Sequence, residues 1–164
     1  MREHPALGGG GEGIIIEICT HEKVQAARTQ LPEQQYLLQP HVTPKIVDGL
    51  PAWFRVIYCL GETYPSFWDT TTHAYTLVTP EQETCFGVGS LREVTKRIAR
   101  LCRLDLFSSE IALTEDELVV VDYVNDPIDL RLQSKALDGV PDFIVKDIAA
   151  RIAETATESE PRFL

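Results

Sequence analysis

The sequence predicts an α+β fold, a largely antiparallel sheet with flanking helices, and three observations carry that prediction. Short runs rich in β-branched and aromatic residues recur at 52–60, 63–68, 107–113 and 118–124. The last two are separated only by Thr114-Glu115-Asp116-Glu117, which is hairpin spacing. Between them and the first pair, Leu91, Val94, Ile98, Leu101 and Cys102 recur near helical spacing, with Arg92, Glu93, Lys96, Arg97 and Arg100 elsewhere around the helix.

The elements follow in order from local residue choice. A glycine-rich start, Met1 to Glu12, leads into the β-branched run Ile14 to Ile18, a strand. His21 to Gln30 has helical composition and is broken by Leu31-Pro32; Tyr36 to Val42 is a strand ended by Thr43-Pro44. Ala52 to Leu60 and Thr63 to Trp68 form a hairpin across Gly61-Glu62. Pro141 opens a last helix whose apolar face includes Val145, Ile148, Ala149 and Ile152. The simplest organisation is one domain over 1–154 with a flexible tail over 155–164, and no internal repeat is visible.

Composition narrows the function classes. With 164 residues, 44% of them hydrophobic and 24% charged, the chain reads as a soluble globular protein with a sizeable core. A net charge of -10 and only 15 scattered Lys and Arg argue against broad nucleic-acid binding. No apolar run reaches the roughly 20 residues that span a bilayer, and the N-terminus lacks a signal-peptide pattern, so the expectation is a cytoplasmic protein with no membrane partner. Cys19, Cys59, Cys85 and Cys102 lie too far apart for a zinc knuckle or a dense disulfide framework; most are expected to be buried.

Two features point to chemistry. The glycines of Gly8-Gly9-Gly10-Gly11-Glu12-Gly13 lack the Cβ atoms that would keep backbone N–H groups from converging on a polyphosphate, although a linker has the same composition. Glu110 lies inside the apolar run 107–113, and Asp122 and Asn125 lie in or just after 118–124. Acids within apolar strands must be paired or face water. Two carboxylates and an amide are oxygen ligands suited to Mg2+; an open sheet face is the alternative. Pairing parity separates two geometries. A two-residue loop at Glu115-Asp116 puts Glu110 opposite Val121, whereas a three-residue loop puts it opposite Asp122 and needs a bulge near Val124 to bring Asn125 in. The three-residue version is favoured because it gathers all three ligands.

In this order of motifs, from Gly8–Gly13 through Tyr36–Val42 and Ala52–Trp68 to Glu110–Asn125, the chain resembles the C-terminal two thirds of an ATP-grasp domain. The resemblance implies helices on one side of the sheet. It implies that Gly8, Gly9, Gly10, Gly11 and Gly13 cover phosphates, and that Gln39, the Pro40 carbonyl and the Val42 N–H hold adenine. Glu110, Asp122 and Asn125 would hold Mg2+. Arg55 would stand near the phosphates, with an ion pair to Glu62 or Asp69 as the competing account. Arg131 and Ser134 would meet the carboxylate being activated, or else anchor the following loop.

The implied function is the ATP- and Mg-binding portion of an ATP-dependent carboxylate–amine or carboxylate–thiol ligase acting through an acyl phosphate. The partners would be ATP and a small-molecule or peptide carboxylate, together with a missing N-terminal domain or a second copy. The alternative is a non-catalytic binding or assembly module derived from the same fold. This sequence departs from the family pattern in spacing Asp122 and Asn125 by three rather than as Glu-x-Asn, and in having no Lys before Lys23. His4-Pro5 occupies the approach to the glycine loop, and set against the family the leading strand and the N-terminal substrate domain are expected to be missing. The chain alone is therefore expected not to turn over ATP at a ligase-like rate.

Overall fold

The computed structural model describes residues 2–5, 20–30 and 36–158. These divide into two compact units, Met1–Val42 and Thr43–Leu164. The glycine loop Gly8 to Gly13 and the expected strand Ile14 to Ile18 lie outside the described residues.

In the first unit, β1 (Arg2–Pro5) pairs antiparallel with β2 (Tyr36–Gln39), Arg2 opposite Gln39 and Pro5 opposite Tyr36. Helix α1 spans His21–Gln30 as expected. β2 stops before Pro40, which has no N–H to donate to a ladder. β1 was not expected, since Arg-Glu-His-Pro contains no β-branched or aromatic residue apart from the His ring.

The second unit opens with a short hairpin, β3 (Ile46–Val47) and β4 (Leu50–Pro51). Asp48 and Gly49 turn it at φ of 51° and 77°, the left-handed pair that a two-residue hairpin turn needs. β5 (Trp53–Cys59) and β6 (Glu62–Trp68) follow, joined by Leu60-Gly61, again both at positive φ. The turn is therefore one residue earlier than the expected Gly61-Glu62. Next come β7 (Tyr75–Leu77), α2 (Pro80–Cys85), α3 (Ser90–Cys102), β8 (Leu106–Leu113), β9 (Leu118–Asn125) and α4 (Asp142–Glu158). The five strands β5 to β9 form one sheet in the order β7-β6-β5-β8-β9, with every neighbouring pair antiparallel. The α+β class holds.

Alternation along β5 divides this sheet into two faces, and both are covered. Phe54, Val56, Phe67, Ile111 and Leu113 point one way and pack with Val78, Val88 and Leu91, beneath α3. The other face carries Trp53, Arg55, Ile57 and Cys59 from β5 and Tyr64 from β6. There α4 docks, since Tyr64 donates to Asp147 and the Arg151 Nε donates to the Tyr64 oxygen at 3.0 Å. The helices thus lie on opposite faces, correcting the expectation of one side. The reason is that β5 is apolar in both parities, so a sheet covered on one side only would leave Trp53 and Ile57 in water.

Small residues set how the helices approach. In α3 the buried positions are Leu91, Thr95 and Ala99, while Leu101 is 75% exposed and Cys102 is exposed. The expected apolar face, running through Leu101 and Cys102, is rotated toward the smaller side chains, which let the helix sit close to the strands. The Thr95 hydroxyl is satisfied by the Leu91 carbonyl at 2.9 Å. In α4, Ile144 and Ile148 are buried, Ile152 is 44% exposed, and the helix runs past residue 154 to Glu158. α2 is only one and a half turns and escaped a periodicity reading; Thr79 and Gln82 cap its start reciprocally. Of the three described cysteines only Cys59 is buried, correcting the expectation for most of them. No described helix is long and apolar enough to cross a membrane.

The segment before α4 is closed by a backbone bridge between Leu132 and Val140, and Gly139 lies against it. A Cβ at Gly139 would stand 2.6 Å from the Leu132 carbonyl carbon and oxygen and 2.7 Å from the Arg131 oxygen, all backbone. Gly139→Ala should therefore lower stability by about 1–3 kcal/mol through overpacking, read as a fall in the urea midpoint. An unchanged midpoint would mean that the bridge opens without cost.

Candidate functional site

The register of the sheet assembles a polar row on the α4 face. Ser66 of β6 lies opposite Arg55 of β5, Arg55 opposite Glu110 of β8, and Glu110 opposite Asp122 of β9. Further along the strands, Ser108 lies opposite Asn125. Directly opposite residues share a face, so four strands contribute to one surface.

Two irregularities in the β8–β9 pair make this possible. At the turn, Leu113 lies opposite Leu118 and the Thr114 N–H donates to Glu117 at 2.9 Å, which leaves the two-residue loop Glu115-Asp116. The favoured three-residue loop is thus corrected. Its consequence survives, because the pairing shifts between Ile111 and Glu110 and brings Asp122 opposite Glu110. A second shift between Glu110 and Ser108 brings Asn125 opposite Ser108, and there the Ser109 hydroxyl donates to the Tyr123 carbonyl at 2.6 Å. Each bulge supplies one extra residue on β9 and so reverses the side to which the next β9 residues point.

Arg55 is the centre of the row. Its Nε donates to the Ser108 hydroxyl at 3.1 Å, its Cζ lies 4.5 Å from the centre of the Trp68 ring, and its NH1 is 3.9 Å from Glu110 Oε1. The last is an electrostatic contact, too long for a hydrogen bond. It pairs Arg55 with Glu110, neither Glu62 nor Asp69. A guanidinium carries five N–H donors, so this one, 17% exposed, keeps capacity for an anionic ligand. Trp68 is itself held between Arg55, the stacked His73 ring at 5.3 Å and the edge of Tyr75 at 4.7 Å.

Glu110 and Asp122 face each other but are differently held. Glu110 Oε2 accepts from the Trp53 indole at 3.3 Å, and its side chain is 20% exposed. Asp122 is exposed, with no ion pair among the described residues. The Asn125 Nδ2 and the Ser66 hydroxyl are buried without a partner. The orphaned Nδ2 is an N–H donor, which a water or an anionic ligand oxygen would complete; only the Oδ1 of the same amide could face a metal. As a donor set, two facing carboxylates and a neighbouring amide fit Mg2+, which takes one or two carboxylates and keeps several waters. No group of three or more His, Cys, Asp or Glu side chains gathers among the described residues.

The other expected residues lie elsewhere or serve the loop. Arg131 donates through Nε to Asp129 and through NH2 to Asp138, both at 2.7 Å, so two of its three nitrogens clamp the segment before α4. Ser134 donates its N–H and hydroxyl to Asp142 at the start of α4. Both therefore anchor the loop, and the Arg131 backbone and side chain hold the Asp129 carboxyl below the usual range. Gln39, Pro40 and Val42 belong to the first unit, and the glycines lie outside the described residues.

Trp53, Ser66, Trp68, Tyr75 and Ser108 were missed by the sequence reading. The turn at Leu60-Gly61 pairs Arg55 with Ser66 and leaves Trp68 on the same face beside Trp53. A turn one residue later displaces each partner by two residues, so Arg55 faces Trp68 in place of Ser66, and the faces of the strands are unchanged.

No family model matches the chain, and no curated protein matches it.

Burial pushes the Tyr75 phenol up; the Arg55 charge opposes this, and Glu110, Asp129 and Asp138 add to it. Burial likewise raises Tyr64, with its hydrogen bond to Asp147. A raised folded pKa gives stability that is complete below the unfolded value of about 10 and is lost as pH rises through the folded value. Titration followed by phenolate absorbance should thus show a late-ionising component to which Tyr64 and Tyr75 contribute, together with falling stability above pH ~10. Tyr75→Phe should reduce that late component. A titration with no late component would contradict the burial argument.

Proposed function

We propose that the α4 face of the sheet is the nucleotide- and magnesium-binding surface of an ATP-dependent carboxylate ligase of ATP-grasp type. What carries the reading is the continuous row Ser66–Arg55–Glu110–Asp122, in which a cation and two facing carboxylates share one face of the sheet.

Glu110, Asp122 and Asn125 would hold Mg2+, which supplies charge neutralisation for phosphate oxygens. Arg55 would add its remaining donors to the same phosphates. The guanidinium is preorganised by Ser108 and Trp68, so little is lost in positioning it. The reaction in this reading joins a carboxylate to an amine or thiol: a carboxylate oxygen takes the γ-phosphoryl group, ADP leaves, and the nucleophile then displaces phosphate from the acyl phosphate. Gln39, Pro40 and Val42 remain the proposed adenine contacts and Gly8 to Gly13 the proposed phosphate cover.

The engagement of Arg131 by two carboxylates favours a second reading, a module that binds ATP without turnover. Phosphate release with ATP, Mg2+ and a panel of carboxylates, amines and thiols separates the two. Release that depends on both substrates supports the ligase; binding without release supports the module.

Both tryptophans of the chain, Trp53 and Trp68, lie on this face and report binding directly. Titration with ATP and Mg2+ should change their emission, and chelating the metal should reverse the change. Asn125→Ala and Glu110→Gln should each weaken the response by roughly tenfold or more, the usual cost of a lost charged or metal contact. If millimolar ATP and Mg2+ give neither an emission change nor calorimetric heat, the reading is overturned.

A further inference from the structure

We propose that the outward face of α3 docks a short acidic segment of another protein. The proposal is independent of the nucleotide reading, because α3 covers the face of the sheet opposite the polar row.

In a chain with 25 Asp and Glu against 15 Lys and Arg, a cation has acids in excess to pair with. Arg55, Arg92, Arg131 and Arg151 each stand in an ion pair. Lys96, Arg97, Arg100 and Arg103 stand in none among the described residues, although all four belong to α3 or its C-terminal cap. Arg97, Arg100 and Arg103 are exposed and Lys96 is half-buried. Lys96 and Arg100 are four positions apart and Arg97 and Arg100 three, so their side chains are neighbours, and like charges at that spacing repel. The helix dipole accounts for Arg100 and Arg103 at the C-terminal end, but Lys96 and Arg97 precede the last turn. An anion laid across the group relieves the repulsion.

Leu101 fixes the class of anion. It is 75% exposed and lies four positions after Arg97, inside the cationic group. An apolar side chain among guanidinium groups fits a protein segment that carries acids together with an apolar residue. A nucleic acid runs beyond one helix and meets the rest of a protein whose net charge is -10 even with these cations counted. A membrane surface meets the same field, and α3 has no apolar face left to insert, since Leu91, Thr95 and Ala99 are buried against the sheet. A short segment touches only the patch.

The probe is a short fluorescein-labelled peptide of glutamates around a central leucine, titrated with the full chain and followed by anisotropy. It should bind in low salt, weaken as NaCl is raised from about 0.05 to about 0.5 M, and lose binding when its glutamates are replaced by glutamines. The double variant Arg97→Gln with Arg100→Gln should bind it roughly tenfold more weakly, since exposed ion pairs each contribute up to about fivefold. Leu101→Ser should weaken binding of this peptide and leave a glutamate-only peptide unaffected. All three side chains are exposed, so circular dichroism should show both variants folded. No binding of the peptide in low salt, or equal binding by the wild type and the double variant, would overturn the proposal. Duplex DNA or phosphatidylserine vesicles binding at least as tightly as the peptide would overturn it too.

Discussion

A guanidinium in the central strand of a five-stranded sheet dictates what can stand around it. Arg55 sits in Trp-Phe-Arg-Val-Ile-Tyr-Cys, where its neighbours are buried on both faces. Such a charge must be given partners, or its desolvation would destabilise the strand. The partners come from both ladders: Ser108 and Glu110 across one, Trp68 from the other. Each then imposes its own demand. Glu110 needs the Trp53 indole, Trp68 needs its aromatic neighbours, and Tyr75 is buried by the same packing. The polar row is therefore one cooperative arrangement, and removing a member leaves others buried without compensation.

A second polar cluster secures the two layers that cover the sheet. Glu62, at the start of β6, has one oxygen 3.8 Å from Arg92 of α3 and the other 3.8 Å from Arg151 of α4. Because those helices lie on opposite faces, one strand-end carboxylate contacts both. Arg92 carries the tighter bonds, to Glu83 at 2.7 Å and to the Thr63 hydroxyl at 3.1 Å. Asp147 and Tyr64 complete the α4 side, and their hydrogen bonds hold the Asp147 carboxyl below its usual range. The Glu62 contacts are long and partly exposed, so they orient the helices more than they stabilise them. Stability comes from the two apolar layers, with Leu91 and Ile111 buried on the α3 face and Ile144 and Ile148 buried in α4.

Much of this was legible in the sequence, and the failures share one cause. The strands, the amphipathic helix and the acidic hairpin were visible because alternation and helical spacing extend over whole segments. Register was less legible, because it turns on a single residue at each loop. Leu60 at positive φ is not a residue that signals a left-handed turn, so a turn at Gly61-Glu62 pairs β5 with β6 two residues out and puts Trp68 where Ser66 stands opposite Arg55. At β8–β9 the turn was misjudged while the facing of Glu110 and Asp122 was right, because bulges shift register without leaving a composition signature. Helix α3 shows the same limit in another form. Its buried stripe follows the close contact of Thr95 and Ala99, which hydrophobicity alone ranks below Leu101.

The bulges also resolve a conflict at the edge of the sheet. Among the described residues β9, eight residues long, is the last strand of the sheet, and Val120 and Tyr123 are exposed on it, the setting in which a strand invites pairing with another chain. A regular strand would present a flat row of donors and acceptors there. Two register shifts within it break that row and twist the strand, while Asp122 places a charge near its middle. The same shifts turn Asp122 toward Glu110 and Asn125 toward Ser108. A β9 paired regularly with β8 from the turn onward would have put Asp122 on the opposite face from Glu110, since a one-residue change in register reverses every side chain. Edge protection and assembly of the polar row are thus achieved by one distortion, which ties the candidate site to the part of the sheet that could least tolerate a straight strand.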